Sequence, residues 1–291
     1  MTTQERILCF IPMYNCEKQI GRVLARFPAN AGNFIHQVLV VDNGSRDQGV
    51  QKATESLAAL HASTGIPCAV TVNNENVNLG GSHKVAFNYA LDHGFDYVIV
   101  LHGDDQADIN DLLPRLARGE HRQVDQLLGS RFMSGSKLIG YSWFRTFGNH
   151  VFNLFFSLCC RRRLWDLGSG LNCYKASYLR DRFYLKFPNT LTFNNSMVLA
   201  GVYRKSNFRF FPLTWREEDQ RSNVKMVRQA VKTVQIPLQY VPAAQLRTLT
   251  SALLRSTDLA PEDADIIADA LVTSELRSLQ GQGQGVRRVR A

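Results

Sequence analysis

None of the six cysteines of this 291-residue chain stands in a C-x-x-C pair, and no histidine cluster accompanies them, which excludes finger-type structural zinc sites. A run of about 20 apolar residues, the length needed to cross a bilayer, is missing. The most apolar stretch, 151–160, is far too short. The opening "MTTQERILCFIPMYN" has neither the basic start nor the long apolar segment of a secretory signal. With unpaired thiols set inside apolar runs, a reducing cytoplasm is the expected location. No G-x-G-x-x-G follows the first apolar run, and neither G-x-x-x-x-G-K-[ST] nor G-x-S-x-G occurs. Nicotinamide-binding Rossmann enzymes, P-loop NTPases and α/β-hydrolases are therefore disfavoured. The formal charge of +9 favours anionic partners. It does not come with the interleaved basic and aromatic pattern of an RNA-recognition sheet, so no nucleic acid is expected.

What is present is an α/β alternation. Four short, β-branched, nearly all-apolar runs at 7–11, 38–41, 69–72 and 97–101 read as buried strands. Helical patterns at 17–27, 48–60, 82–93 and 109–116 separate them, with a repeat of about 30 residues, one βα unit. Such alternation predicts a mostly parallel, Rossmann-like sheet flanked by helices, with ligands beyond the carboxyl ends of the strands. Those ends are polar: Pro12, Tyr14, Asn15 and Glu17 after the first, Asp42, Asn43 and Ser45 after the second, Asn78, Gly80 and Gly81 after the third. The fourth ends in His102, Gly103, Asp104, Asp105 and Gln106, a set able to hold a divalent cation beside a diphosphate without a glycine loop.

A further strand is expected at 127–129, ending in Ser130 and Arg131. Beyond it, Phe144, Phe147, Val151, Phe155 and Leu158 share one helical face, and Arg161, Arg162 and Arg163 follow. That helix reads either as core packing with cations at its C-terminus or as an interfacial helix against an anionic membrane surface. From about residue 245 two helical segments precede a Gly/Gln-rich basic tail. The expected division is 1–240 for the α/β domain and 245–291 for a helical appendage, which packs or pairs chains into a homo-oligomer.

The quoted segments resemble family two glycosyltransferases with the GT-A fold, in their polyprenyl-phosphate (dolichyl-phosphate mannose synthase-like) branch. "FIPMYNCEKQIGRVL", "VLVVDNGSRD", "NVNLGGSHKVAFNYAL", "HGDDQ", "GSRF", "DLGSGLNCY" and "REEDQRSNVK" follow that family's landmarks in order over roughly residues 5–240. Asn43 replaces the family's second Asp, and His102 stands where the first Asp of Asp-x-Asp-x-Gln is usual.

The resemblance implies a GT-A nucleotide-diphospho-sugar transferase acting on a nucleotide-sugar donor. Asp42 would hold the base or ribose, with Pro12, Tyr14 and Glu17 lining that pocket and Asn43, Asn78, Gly80, Lys84 and Gly103 around the donor. Asp104 and Gln106 would bind Mg²⁺ or Mn²⁺. His102 is a third candidate ligand, better suited to Mn²⁺ than to Mg²⁺. A polyprenyl-phosphate acceptor is already a nucleophile and needs cations, for which Arg131, Arg145, Arg221 and Lys225 are candidates. A glycan hydroxyl acceptor needs a base, and Glu217, Glu218 and Asp219 are then the suspects. Relatives often carry membrane helices after the catalytic domain; this chain is expected to work peripherally at the inner membrane face or with a partner membrane protein. A non-catalytic nucleotide or nucleic-acid binder is the alternative from another class. The segment "LLRSTDLAPEDADIIADALVTSELRSLQGQGQGVRRV" also resembles the N-terminal helices of the non-Rossmann malate/L-lactate dehydrogenase family, with Gln-Gly-Gln-Gly near that family's Ser-His-Gly.

Overall fold

The computed structural model describes residues 5–217, 247, 248, 250, 251, 255, 260–270 and 273. Residues 5–149 and 165–217 form one compact unit; 150–164 and the described residues from 247 onward form a second. The first unit opens with β1 (Ile7–Met13), α1 (Glu17–Ala25), β2 (Gln37–Asp42), α2 (Gly49–Thr64), β3 (Cys68–Val72), α3 (Asn78–Asp92) and β4 (Tyr97–Leu101). Then come α4 (Leu113–Ala117), β5 (Gln126–Ser130), β6 (Lys137–Ile139), α5 (Trp143–Cys160), β7 (Leu171–Lys175), α6 (Ala176–Leu179), α7 (Phe193–Tyr203), β8 (Phe208–Pro212) and β9 (Thr214–Arg216).

Seven strands make one sheet in the order β3-β2-β1-β4-β7-β5-β8. β1 pairs in parallel with β2 and β4, and β2 with β3, as the βα alternation requires. β1 is buried at every position, which is why its sequence is continuously apolar rather than alternating. α1 turns Ile20, Val23 and Leu24 to the core, and α2 turns Ala53, Leu57 and Leu60, both at helical spacing. α2 stops at Gly65, whose φ of 72° is the left-handed cap that glycine takes without strain.

Three differences from the sequence reading matter. β1 continues through Pro12 and Met13, which pair with Val41 and Asp42 and so carry the strand into the polar edge. α3 begins at Asn78 rather than at 82. The expected helix at 109–116 divides into a 3-10 turn, Ile109–Asp111, and the short α4, because Pro114 has no N–H to continue an α-helical ladder. β7 is antiparallel to both β4 and β5 and separates them. A second, two-stranded sheet joins β6 and β9, and an isolated bridge ties Ala107 to Trp215.

On α5 the exposed row is Phe144, Phe147, Val151, Leu154 and Leu158, with Trp143 at its head. Phe155, expected on that row, is instead buried. In the second unit residues 261–270 are helical, with Ala264 and Ala268 buried one turn apart. Asp265 and Asp269 of this helix pair with Arg255 and Arg247. The Gly/Gln-rich tail lies outside the described residues.

Candidate active site

The loops leaving β1, β2 and β3 are tied into one edge by side chains. Asn43 is 5% exposed and joins three loops. Its backbone N–H donates to Met13 O at 2.8 Å and its Nδ2 to Asn76 Oδ1 at 2.8 Å. Its Oδ1 accepts from Val77 N at 2.9 Å and from Asn73 Nδ2 at 3.2 Å. An aspartate could accept but not donate, so the amide, rather than the family's usual carboxylate, suits this knot. Asp42 is 1% exposed and accepts from Gly44 N (3.0 Å), Ser45 N (2.9 Å) and the Ser45 hydroxyl. Glu17 Oε2 accepts from Gln48 N at 3.2 Å, while its own N–H donates to Asp47 Oδ2 at 2.9 Å. Pro12 is buried and Tyr14 is 45% exposed at the same edge.

The start of α3 is spent differently from the expectation. The three N–H groups of the Lys84 ammonium donate to Leu185 O, Phe187 O and Asn189 Oδ1, fastening the 185–189 segment. Gly80 donates to Asn189 O at 2.7 Å, and a Cβ there would lie 2.7 Å from Pro188 O. Both residues therefore serve a close backbone contact. Asn78 opens the helix with φ 59° and donates its N–H to Asn76 Oδ1 at 2.9 Å.

The loop after β4 carries the oxygen donors. Gly103 is set against β1: its N–H donates to Pro12 O at 3.1 Å, and a Cβ would stand 3.0 Å from that oxygen. Asp104 is partly buried, with Oδ1 accepting from Gln106 N at 3.3 Å. Burial pushes its carboxyl up to about 6, against the lowering effect of the backbone bonds and with the charges of Asp105 and Glu217 adding to the rise. Asp105 points elsewhere. It has φ 65°, is 7% exposed, and pairs with Arg22 Nε (2.7 Å) and Arg26 Nη2 (2.9 Å).

His102 lies against Gly170, where a Cβ would come within 3.0 Å of its ring, and its N–H donates to Gly170 O. It meets His83 edge-on with centroids 5.9 Å apart. The Nε2 atoms of both rings have no hydrogen-bond partner among the described residues. Burial pushes His102 down to about 4, with Arg131 adding, and His83 down to about 3, so both rings are neutral.

The cations come from the far side of the sheet. Arg131 grips Asp166 through Nε and Nη2, both at 2.8 Å, and lies over the Trp215 ring. Burial alone would lower the guanidinium's pKa; the Asp166 carboxylate outweighs it and holds the charge in place. Arg145 lies over the Tyr141 ring at 4.6 Å and pairs with Glu217. Glu217 in turn accepts from Gln106 Nε2 at 3.4 Å. Glu218, Arg221 and Lys225 lie outside the described residues.

The structure thus brings Asp104, Gln106, Arg145 and Glu217 together, with Arg131 and Asp166 beside them. Asp166 opens the quoted "DLGSGLNCY" and Glu217 lies in "REEDQRSNVK", directly after β9, but neither segment reveals its arginine partner, and no pattern singles out His83. Among the described residues no three His, Cys, Asp or Glu side chains converge as a cation site. Asp104 and Gln106 still fit a hard divalent ion, which commonly takes one or two protein oxygens and completes its shell with phosphate and water. No helix among the described residues is long and apolar enough to cross a membrane.

Residues 9–183 match the family described as Glycosyl transferase family 2. The chain is 27% identical over 175 residues to an undecaprenyl-phosphate mannosyltransferase of Micrococcus luteus, covering 60% of this chain and 68% of that protein. It is 24% identical over 177 residues to a polyprenol monophosphomannose synthase of Mycolicibacterium smegmatis, covering 60% and 63%. The matched stretch therefore spans about two thirds of the length of these curated relatives. A solved structure of glucosyl-3-phosphoglycerate synthase from Mycobacterium tuberculosis, in complex with Mn²⁺, UDP and phosphoglyceric acid, superposes with a TM-score of 0.59 at 13% identity. That superposition covers 82% of this chain and 80% of the other, and at such identity it is a likeness of fold.

Proposed function

The chain belongs to glycosyl transferase family 2, and we propose that it moves a sugar from a nucleoside diphosphate to a polyprenyl phosphate, with inversion at the anomeric carbon. The observation that carries the reading is the chain of contacts in which the Gln106 backbone N–H donates to Asp104, the Gln106 side-chain Nε2 donates to Glu217, and Glu217 pairs with the Arg145 guanidinium. Two relatives named for sugar transfer to a polyprenyl or undecaprenyl phosphate support the acceptor class.

In this reading Pro12, Tyr14, Glu17, Asp42 and Asn43 line the base and ribose, and Asn78 and Gly103 flank the diphosphate. Asp104 and Gln106 would hold Mg²⁺ or Mn²⁺, which supplies positive charge to the departing diphosphate. His102, folded onto Gly170 and His83, is outside that donor set. Arg131, Arg145 and Arg221 orient the acceptor phosphate. One of its oxygens attacks the anomeric carbon while the bond from that carbon to the diphosphate oxygen breaks. The nucleophile is already ionised, so no base has to take a proton. Of the three candidate bases for a hydroxyl acceptor, Glu217 is engaged by Arg145 and Gln106, and Glu218 and Asp219 lie outside the described residues.

The exposed apolar row of α5, followed by Arg161, Arg162 and Arg163, suits peripheral contact with an anionic membrane. Co-sedimentation with anionic vesicles at low salt tests this: binding is expected, and its absence removes the membrane claim. The function is tested by a screen of UDP-, GDP- and CDP-sugars with a short-chain polyprenyl phosphate and Mn²⁺ or Mg²⁺. Transfer to give a base-stable, mild-acid-labile lipid is expected. Transfer only to glycan hydroxyls would sink the reading.

A further inference from the structure

Glu217 is the last residue described before the 218–246 segment, and its placement is set from two sides. On one side, the preceding residue, Arg216, donates its N–H to Gln106 O at 2.9 Å, and Trp215 bridges to Ala107. Side chains reinforce this: Arg216 pairs with Asp108, and Asp111 accepts from Thr214 N. On the other side, the Glu217 N–H donates to Ile139 O at 2.9 Å. Gly140, with φ 72°, lies so close that a Cβ would stand 2.5 Å from Glu217 O. The carboxylate, with a side chain 10% exposed, then spans two groups with separate tasks: Oε1 accepts from Gln106 and Oε2 from Arg145.

From this geometry we propose that Glu217 is a positioning residue that sets Gln106, on the donor side, against Arg145, on the acceptor side, so that the two substrates meet at a fixed spacing. The inference rests on the donor and acceptor roles given above to Gln106 and Arg145. A carboxylate is the group that can do this, because it accepts from an amide N–H and a guanidinium at once, and the bond to the charged partner is the stronger of the two. An anion beside two incoming phosphates would be adverse if its charge were free. Here the Arg145 charge offsets it, and the guanidinium keeps further N–H groups to turn to a phosphate.

The test uses the full chain, with the donor that supports wild-type turnover and a short-chain polyprenyl phosphate. Glu217→Gln keeps the acceptor for Gln106 and removes the negative charge that faces Arg145. It is expected to raise the acceptor KM about tenfold while leaving the Mn²⁺ concentration for half-maximal rate within about twofold. Glu217→Ala removes both contacts and is expected to shift both quantities and to lower kcat. In the Arg145→Ala background, Glu217→Ala should add nothing to the acceptor KM, since the effect passes through Arg145. Thermal melting reports whether each variant is folded, and the near-isosteric Gln variant remains informative if the Ala variant is not. An unchanged acceptor KM in Glu217→Gln, or effects of Glu217→Ala and Arg145→Ala that add in full, would overturn the proposal. Absence of wild-type transfer to the lipid phosphate would instead refute the acceptor reading beneath it.

Discussion

Replacing Asn43 by the aspartate that is usual in the resembled motif should destabilise this protein. Asn43→Asp keeps the acceptor for Val77 N and Asn73 Nδ2 but turns the 2.8 Å donation to Asn76 Oδ1 into two facing oxygens. The site is 5% exposed and adjoins the buried carboxylate of Asp42. A buried acceptor left unpaired costs about 1–3 kcal/mol. Taking about 2 kcal/mol, and about 2–4 °C of melting temperature per kcal/mol for a domain of this size, the variant should melt about 4–8 °C lower at pH 7. The pH dependence has a definite sign. Burial and Asp42 should raise the introduced carboxyl's folded pKa above its unfolded value, so the folded state binds the extra proton more readily. Once protonated, the introduced carboxyl could also donate to Asn76. The deficit should therefore shrink as pH falls and be largest at and above neutrality. Melting followed by circular dichroism at pH 5 and pH 7.5, for wild type and variant, measures both. Equal melting temperatures at pH 7.5, or a deficit that grows on acidification, would refute the view of Asn43 as the knot between the loops.

Other consequences can be tested alongside it. Asp104→Ala should abolish turnover, whereas Asp105→Ala should leave the folded enzyme active and cost about 1–3 kcal/mol in urea unfolding, at the low end because Arg22 is 45% exposed; the reverse ranking in a rate assay would contradict the assignment. Asp166→Ala should leave Arg131 buried without its bidentate partner and cost about 3–5 kcal/mol in the same unfolding assay, and a variant as stable as wild type would count against the pair. Asp104 is charged only above about 6, so protons should compete with the cation: the Mn²⁺ needed for half-maximal rate should rise as pH drops below about 6 and be flat above it. Because that folded pKa lies above the unfolded one, the ionised carboxylate lowers stability at neutral pH, and metal-free Asp104→Asn should melt higher than wild type at pH 7.5 but not at pH 4.

The strands of the parallel half were legible because each is short and apolar, β1, β2 and β4 being buried almost throughout and β3 partly exposed, so that apolar runs and turn residues fall in step. β4 agrees with its expected bounds, and β1 and α3 differ only where the chain enters the polar edge. β6, β7 and β9 were not legible. β7 is a five-residue strand containing Asn172 and Lys175, and β6 and β9 have three residues each, too few for a period to appear. The site divides in the same way. Asp104 and Gln106 stand two positions apart in one loop and could be read as a pair. The meeting of Gln106 with Glu217 and, through it, Arg145 joins positions 111 and 39 residues away, through a sheet pairing that local pattern does not encode. Lys84 and Gly80 sit at a helix start that looks suited to phosphate, but the 185–193 segment uses them, a contact set by tertiary packing. His102 is a ligand candidate by residue type, and only its contact with Gly170 and His83 turns it inward.

The most direct test of the central claim is the rate of sugar transfer by the wild-type chain to a short-chain polyprenyl phosphate, compared with the same lipid as its free alcohol, in the presence of Mn²⁺. Transfer to the phosphate, giving an acid-labile glycosyl phosphate, with none to the alcohol and none by Asp104→Ala, is the predicted result. Equal transfer to the alcohol, or full activity in Asp104→Ala, would contradict it.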